Sequence, residues 1–246
     1  MAIYTIADLH LSTADETNKS MEVFGNRWEN YVERLESAWR RLVTDADTVL
    51  VPGDISWALS LEEAESDLRF LDRLPGKKIL GKGNHDFWWT TMKKHREFFE
   101  KSGITTLSFL YNNAYEVENL IVTGTRGWFS DEELQNVQNR TDYQKIINRE
   151  VSRLRTGLAC AKKLQEGAPE KEIVVFMHFP PYRAGRATEP LLDVLSEYGI
   201  RRVYYGHIHG PQTEPPLAEY RGISLRLISA DTLGFVPLFV PQNSDS

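Results

Sequence analysis

The sequence predicts an α/β fold built on parallel strands, and three observations carry that expectation. Short β-branched and apolar runs alternate with longer stretches of helical period. With 41% apolar and 26% charged residues over 246 positions, the composition suits one large buried core and excludes a disordered or fibrous chain. Residues able to do chemistry recur directly after the strand-like runs, where the loops of an open parallel sheet converge.

The elements follow in order. The first strand is expected at Ile3–Ala7. Behind it, residues 11–26 are polar and unpatterned, longer than a strand-to-helix connection needs, and read either as an active-site loop or as a solvated surface loop. Trp28, Val32, Leu35, Trp39, Leu42 and Val43 recur at spacings of three and four, the buried stripe of a helix. A strand at Thr48–Val51 precedes Ser60 and Glu63, a capping box opening a helix that buries Ala64, Leu68 and Leu71 and stops at Gly76. Strands at Lys78–Leu80 and Leu120–Thr123 flank a helical run over Thr91–Lys101. Ser130 with Glu133 repeats the capping signature ahead of a long polar helix reaching about Gly167. Then come a strand at Ile173–Met177, a helix over Glu189–Tyr198 stopped by Gly199, and strands at Arg202–Tyr205, Leu225–Ser229 and Val236–Val240. No repeat, low-complexity block or linker divides the chain, so residues 1–241 read as a single domain and 242–246 as a loose tail.

Charge narrows the partners. A formal net charge of -6, with 29 basic against 35 acidic residues, offers no broad cationic surface for a phosphate backbone, which disfavours a long nucleic acid and favours a small phosphorylated substrate. Cys160 is the sole cysteine, so no internal disulfide forms; it reads as core filler in a reducing compartment. With no apolar leader or stretch of membrane-spanning length, the expected location is cytoplasmic, with no membrane partner.

Five clusters follow strands: Asp8-Leu9-His10, Gly53-Asp54, Gly83-Asn84-His85-Asp86, His178, and Gly206-His207-Ile208-His209. A lone strand-end aspartate is usually a turn or cap, and a lone histidine is usually structural. Here five of the six histidines fall in the clusters; His95, in a helical run, is the exception and reads as structural or solvent-facing. Carboxylate, imidazole and amide donors without a thiolate suit Mn²⁺, Fe²⁺ or Zn²⁺ in open sites. Asp8, His10, Asp54, Asn84, His178, His207 and His209 are too many ligands for one ion and enough for two. A pair about 3.5–4 Å apart, bridged by a carboxylate for which Asp54 is the natural choice, holds a hydroxide and clamps an in-line displacement at phosphorus. The glycines at 53, 83 and 206 let the backbone approach closely where ligands cluster.

This ordered set, spanning residues 8 to 209, resembles the calcineurin-like metallophosphoesterase superfamily. The resemblance implies a four-layer α/β/β/α sandwich with two central mixed sheets and a dinuclear metal site at the sheet edge. It implies Asp8, His10, Asp54 and His209 on one divalent ion, and Asp54, Asn84, His178 and His207 on the other. His85 would then be no ligand but would stand beside the departing oxygen, able to donate a proton or stabilise charge. Asp86 either orients His85 or caps a helix beginning at Phe87. Trp57, Trp88 and Trp89 either wall a pocket for an apolar or aromatic leaving group or pack in the core. Arg183 and Arg186 either grip a phosphate oxygen or carry solvated charge. Residues 124–128, after another strand, are a weaker source of a backbone or arginine contact. The expected function is a phosphoesterase acting on a phosphomonoester or small phosphodiester through a metal-bridging hydroxide. Its alternatives are a non-catalytic metal-binding scaffold, disfavoured by the presence of His85, and a nuclease, disfavoured by the net charge.

Overall fold

Strands that are apolar on both faces must be covered on both faces, and this requirement sets the architecture. In the computed structural model, which describes residues 1–13, 21–130, 140–211 and 215–242, two mixed sheets form the centre. In the first, β1 (Ile3–Thr5), β2 (Thr48–Val51), β3 (Lys77–Leu80) and β4 (Leu107–Phe109) run parallel, and β13 (Leu238–Phe239) joins β1 antiparallel. The second is ordered β11 (Leu217–Tyr220), β12 (Ile223–Leu227), β10 (Arg202–Tyr205), β7 (Glu172–Met177), β6 (Leu120–Thr125) and β5 (Ala114–Val117). Its inner strands are parallel and its two edge strands antiparallel. A separate hairpin pairs β8 (Tyr182–Arg183) with β9 (Arg186–Ala187).

Strand alternation then sorts the core into three apolar layers. Leu50 and Ile79 of the first sheet meet Val122, Val174, Phe176 and Tyr204 of the second. On the far side of the first sheet, Val49, Val51 and Leu80 pack against α1 (Tyr31–Leu42), α2 (Glu65–Arg73) and α3 (Met92–Ser102) through Leu35, Trp39, Leu68, Leu71 and Phe99. On the far side of the second, Ile121, Val175, Met177 and Val203 pack against α4 (Arg140–Gly167) and α5 (Glu189–Glu197) through Leu154, Leu158, Leu191 and Leu195. The result is the expected α/β/β/α sandwich. Among the described residues, no helix is long and apolar enough to cross a membrane.

Local chemistry fixes the helix ends. Ser60 Oγ accepts from the Glu63 amide (3.2 Å), but residues 61–64 form only a turn, and α2 begins at Glu65. The buried ammonium of Lys78 donates to the carbonyls of Leu74 (2.6 Å) and Gly76 (2.8 Å) just past the α2 C-terminus; burial pulls its pKa down to about 8. Thr91 caps α3 by accepting from the Lys94 amide, and Gly103, at φ 66°, ends it.

Some boundaries differ from expectation. Trp28 lies in a 3₁₀ turn ahead of α1, the strand expected at Leu225–Ser229 sits two residues earlier at Ile223–Leu227, and the last strand narrows to Leu238–Phe239. β4, β5 and β11 are edge or near-edge strands of three or four residues, too short to show a period in the sequence. Glu133 of the second capping signature and residues 243–246 lie outside the described residues, and Gln242 Nε2 donates to the Met1 carbonyl (2.8 Å).

His95 is fully buried, with its ring against Trp88, Trp89 and Phe109 and its Nε2 accepting from the Thr90 amide (3.1 Å). The structural reading of this residue therefore stands and the solvent-facing one does not. Burial pushes its pKa down to about 4, so the folded state holds it neutral while the unfolded chain takes up a proton near pH 6.5. Its contribution is fully present above pH 6.5 and is lost as pH falls toward 4. We expect denaturant titrations at pH 7 and pH 4 to show His95→Gln shedding up to about 3 kcal/mol of the wild-type acid sensitivity, a double difference that cancels the other titrating groups.

Candidate metal centre

The two sheets are stitched together at one end. Ala7 donates to the Ile228 carbonyl and accepts from the Ala230 amide (2.9 Å each), so the chain leaving β1 reaches across to the second sheet. Asp8 therefore emerges at the junction. From there residues 8–11 run beside the loop after β2: the amides of Asp8, His10 and Leu11 donate to Gly53, Asp54 and Ile55 (2.9–3.0 Å).

Crowding these donors strains the backbone. Asp8, His10, Asp54 and His207 all take left-handed conformations, with φ of 60°, 46°, 50° and 70°. Each such residue costs on the order of 1–2 kcal/mol, which the surrounding hydrogen bonds must offset. The glycines behave as the sequence suggests. A Cβ on Gly83 would overlap the Asp54 carboxylate, one on Gly206 would overlap that of Asp8, and one on Gly53 would lie 2.7 Å from the Gly83 nitrogen.

Asp86 holds the arrangement from beneath. Fully buried, it accepts from the amides of Asp54 (2.9 Å), Ile55 (2.8 Å) and Gly83 (2.7 Å) and from the Trp88 indole (2.9 Å). This corrects both expectations for Asp86: residues 87–91 are not helical, and no hydrogen bond among the described residues joins its carboxylate to the His85 ring. It ties two loops together instead.

Asp54 Oδ1 accepts from the His85 amide (2.8 Å), while its buried Oδ2 has no hydrogen-bond partner among the described residues. That oxygen lies 3.7 Å from His10 Nε2 and 3.4 Å from His178 Nε2. Two groups with donor atoms within 4.8 Å of one another flank it: Asp8, His10 and His209; and Asp54, His178 and His207. His10 Nε2 faces His209 Nε2 at 3.1 Å, His178 Nε2 faces His207 Nδ1 at 3.2 Å, and the Asn84 amide oxygen lies 2.7 Å from His178 Nε2. All seven expected ligands are thus brought to one place.

The electrostatics fit a cation. Burial pushes Asp8 up to about 6, and burial together with the charges of Asp86 and Asp8 pushes Asp54 well above the usual carboxylate range. Burial also holds His10 and His178 well below the ordinary histidine value and His207 at about 3, so these imidazoles stay neutral with a lone pair to offer. Buried carboxylates short of positive charge, neutral imidazoles turned toward one another, and the orphaned Asp54 Oδ2 are what divalent ions would satisfy.

Asp231 is a residue the sequence reading missed. Its buried carboxylate receives His209 Nδ1 (3.1 Å) and the Gly210 amide (2.9 Å). For His209 the loss of solvation is outweighed by that hydrogen bond and by the charges of Asp8 and Asp231, so its pKa rises. A proton held on Nδ1 leaves Nε2 free to face the site. Asp231 stands two residues after Ser229, so the strand-end rule that found the other carboxylates applied here as well.

The remaining expectations separate. Trp57 stacks on His10 (4.9 Å between centroids) and meets His85 (4.4 Å) beside a cavity of about 570 Å³, whereas Trp88 and Trp89 are core residues. The 3₁₀ turns Met21–Phe24 and Asn26–Trp28 supply much of the opposite wall; residues 14–20 of the expected loop lie outside the described residues. Arg183 and Arg186 sit on the β8–β9 hairpin and do not line this cavity; Arg183 donates to the Tyr205 hydroxyl (3.0 Å). Arg126 lies over the Trp128 ring and pairs with Glu150 at 3.6 Å.

The family model described as calcineurin-like phosphoesterase matches residues 1–211. The chain is similar in fold to the phosphopantetheinyl hydrolase of Mycobacterium tuberculosis, at 14% identity and TM-score 0.55, over 100% of this chain and 97% of that one. It is likewise similar to the protein TT1561 of Thermus thermophilus, at 9% identity and TM-score 0.54, over 98% of each chain. None of the curated proteins compared with the chain matches it significantly.

Because Asp231 would act on an ion only through His209, Asp231→Asn should weaken metal retention by about 10- to 100-fold, the usual effect of losing such a partner. Chelator competition checks this. Unchanged retention would reduce the Asp231–His209 contact to a structural one.

Proposed function

We propose that this chain, which belongs to the calcineurin-like phosphoesterase family, holds two divalent ions and hydrolyses a phosphomonoester or small phosphodiester. The observation that carries the reading is the unpartnered Asp54 oxygen between His10 and His178, one histidine from each donor group. In this proposal Asp8, His10, Asp54 and His209 hold one ion, and Asp54, Asn84, His178 and His207 the other. An all-nitrogen and oxygen donor set suits Mn²⁺, Fe²⁺ or Zn²⁺. Bound there, two divalent ions supply Lewis acidity, neutralise charge around phosphorus and lower the pKa of water.

The protein's own part is placement. Asp86 fixes the loops carrying Asp54 and Asn84, so the donors need no rearrangement as charge develops. His85, anchored through its amide to Asp54, presents its ring to the cavity between Trp57 and Phe87 (4.4 and 6.2 Å between centroids). There it donates a proton to the leaving oxygen, with the indole of Trp57 limiting access of water.

Elemental analysis of purified protein supplied with Mn²⁺ or Zn²⁺ should give two ions per chain, and Asp54→Ala should lose both or all turnover. At or below one ion with activity intact, the dinuclear proposal fails. His85→Ala should keep its ions and lose about 10²- to 10⁴-fold in rate on alkyl esters, but much less on nitrophenyl esters, whose leaving group needs little protonation. A uniform defect would make His85 a positioning group, and a lost ion would make it a ligand. A panel of phosphoesters, including a pantetheinyl one suggested by the name of the M. tuberculosis relative, identifies the substrate.

A further inference from the structure

The cavity of about 570 Å³ opens on His10, His85 and His209, and its size is that of a small-molecule pocket. Away from those histidines its walls are mainly Met21, Phe24, Trp28, Trp57 and Pro211. Trp28 is wedged between Tyr31 (5.4 Å between centroids) and Phe235 (5.2 Å), with its ring also 5.6 Å from His209. Trp57 stacks on His10 at 4.9 Å and 25°. Both indoles therefore begin where the imidazoles end. Apolar surface continues past the rim, since Val23 and Phe24 are exposed at 81% and 69%, and Phe87, next but one to His85, at 59%. Exposed apolar residues gathered around a pocket mark a binding surface more than chance does.

The lining also says what it will not hold. Among the described lining residues Arg27 is the one Lys or Arg, and its guanidinium donates to the Gly210 carbonyl (2.5 Å) and faces buried Asp231 at 3.3 Å. With Arg27 Nη1 committed to Gly210 and Asp231, the described lining offers little cationic surface for a second phosphate or a carboxylate of the substrate. The net charge of -6 further disfavours a polyanion.

We propose that the site takes a phosphoester whose leaving group is an uncharged apolar chain, seated between Trp28 and Trp57 and running out over Phe24. This rests on the hydrolase reading above. The reacting phosphoryl group lies on the side of the metal-facing histidines, and the ester oxygen reaches His85 before the chain enters the apolar part. Specificity then comes from burial of methylene groups and not from charge.

The test is calorimetric binding of n-alkylphosphonates, from methyl to octyl, to the Mn²⁺-loaded protein; they keep the phosphorus head and cannot be hydrolysed. Affinity should rise about two- to fourfold per methylene while the chain is being buried. Phe24→Ser, at an exposed position where folding is not threatened, should flatten the rise for the longest members, with circular dichroism confirming the fold. If methylphosphonate binds and octylphosphonate binds no better, the apolar inference is overturned while the hydrolase reading stands. If a nucleoside phosphonate binds more tightly than the octyl compound, the pocket holds a base, and the inference is equally overturned. If neither Mn²⁺ nor any phosphonate binds, the hydrolase reading itself has failed.

Discussion

The Asp86 carboxylate, buried and accepting from the amides of Asp54, Ile55 and Gly83, ties the loop after β2 to the loop after β3. A buried carboxylate with charge-assisted bonds to several amides cannot release one without exposing an unpaired charge to a low-dielectric interior. This makes the clamp rigid. Its consequence is the position of Asp54: one oxygen is engaged by the His85 amide and the other is left unpaired, facing a histidine from each sheet. Elsewhere in a core such an oxygen would be a defect. Here it is the point toward which both donor groups converge.

The sheets reach that point because β1 ends by crossing over. Ala7 pairs with Ser229, so Asp8 and His10 of the first sheet stand against His207 and His209 of the second, with the His207 amide donating to Asp8 (2.9 Å). Close approach at this seam explains the glycines at 83 and 206, where any side chain would collide with the Asp54 or Asp8 carboxylate. It also explains why four of the donor residues adopt left-handed backbone conformations. The strain is local, and the interleaved amide-to-carbonyl bonds between residues 8–11 and 53–57 over-determine it.

Much of this was legible in the sequence, for reasons that differ by element. Buried parallel strands such as Thr48–Val51 and Ile173–Met177 announce themselves as unbroken apolar runs, and the chemistry after these two strand ends could be located by position. Asp86 was found but misassigned, because a carboxylate before an aromatic run gives no sign of which amides it will reach across 30 or more residues. Asp231 obeyed the strand-end rule and was overlooked because neither a histidine nor a glycine stands beside it. The cavity wall at residues 21–28 was legible only as part of an unpatterned stretch, 11–26, that read either as an active-site loop or as a surface loop: short 3₁₀ turns have no hydrophobic period, and the fold is what brings Trp28 and Phe24 to the same cavity as Trp57. Arg183 followed the right strand but does not line the cavity beside His10 and His85; its guanidinium donates to the hydroxyl of Tyr205.

Two qualities meet in one groove: a polar seam of buried carboxylates and neutral imidazoles, and an apolar recess walled by indoles. The seam depends on the Asp86 clamp and the recess on the aromatic packing of Trp28, and the two meet where Trp28 packs on His209 and Trp57 stacks on His10. The claim on which everything else rests is that Asp54 is shared between two ions. Anomalous diffraction from crystals grown with Mn²⁺ tests it most directly. The account predicts two peaks about 3.5–4 Å apart, one beside Asp8, His10 and His209, the other beside Asn84, His178 and His207, with Asp54 between them. A single peak, or two peaks with Asp54 touching only one, would contradict it.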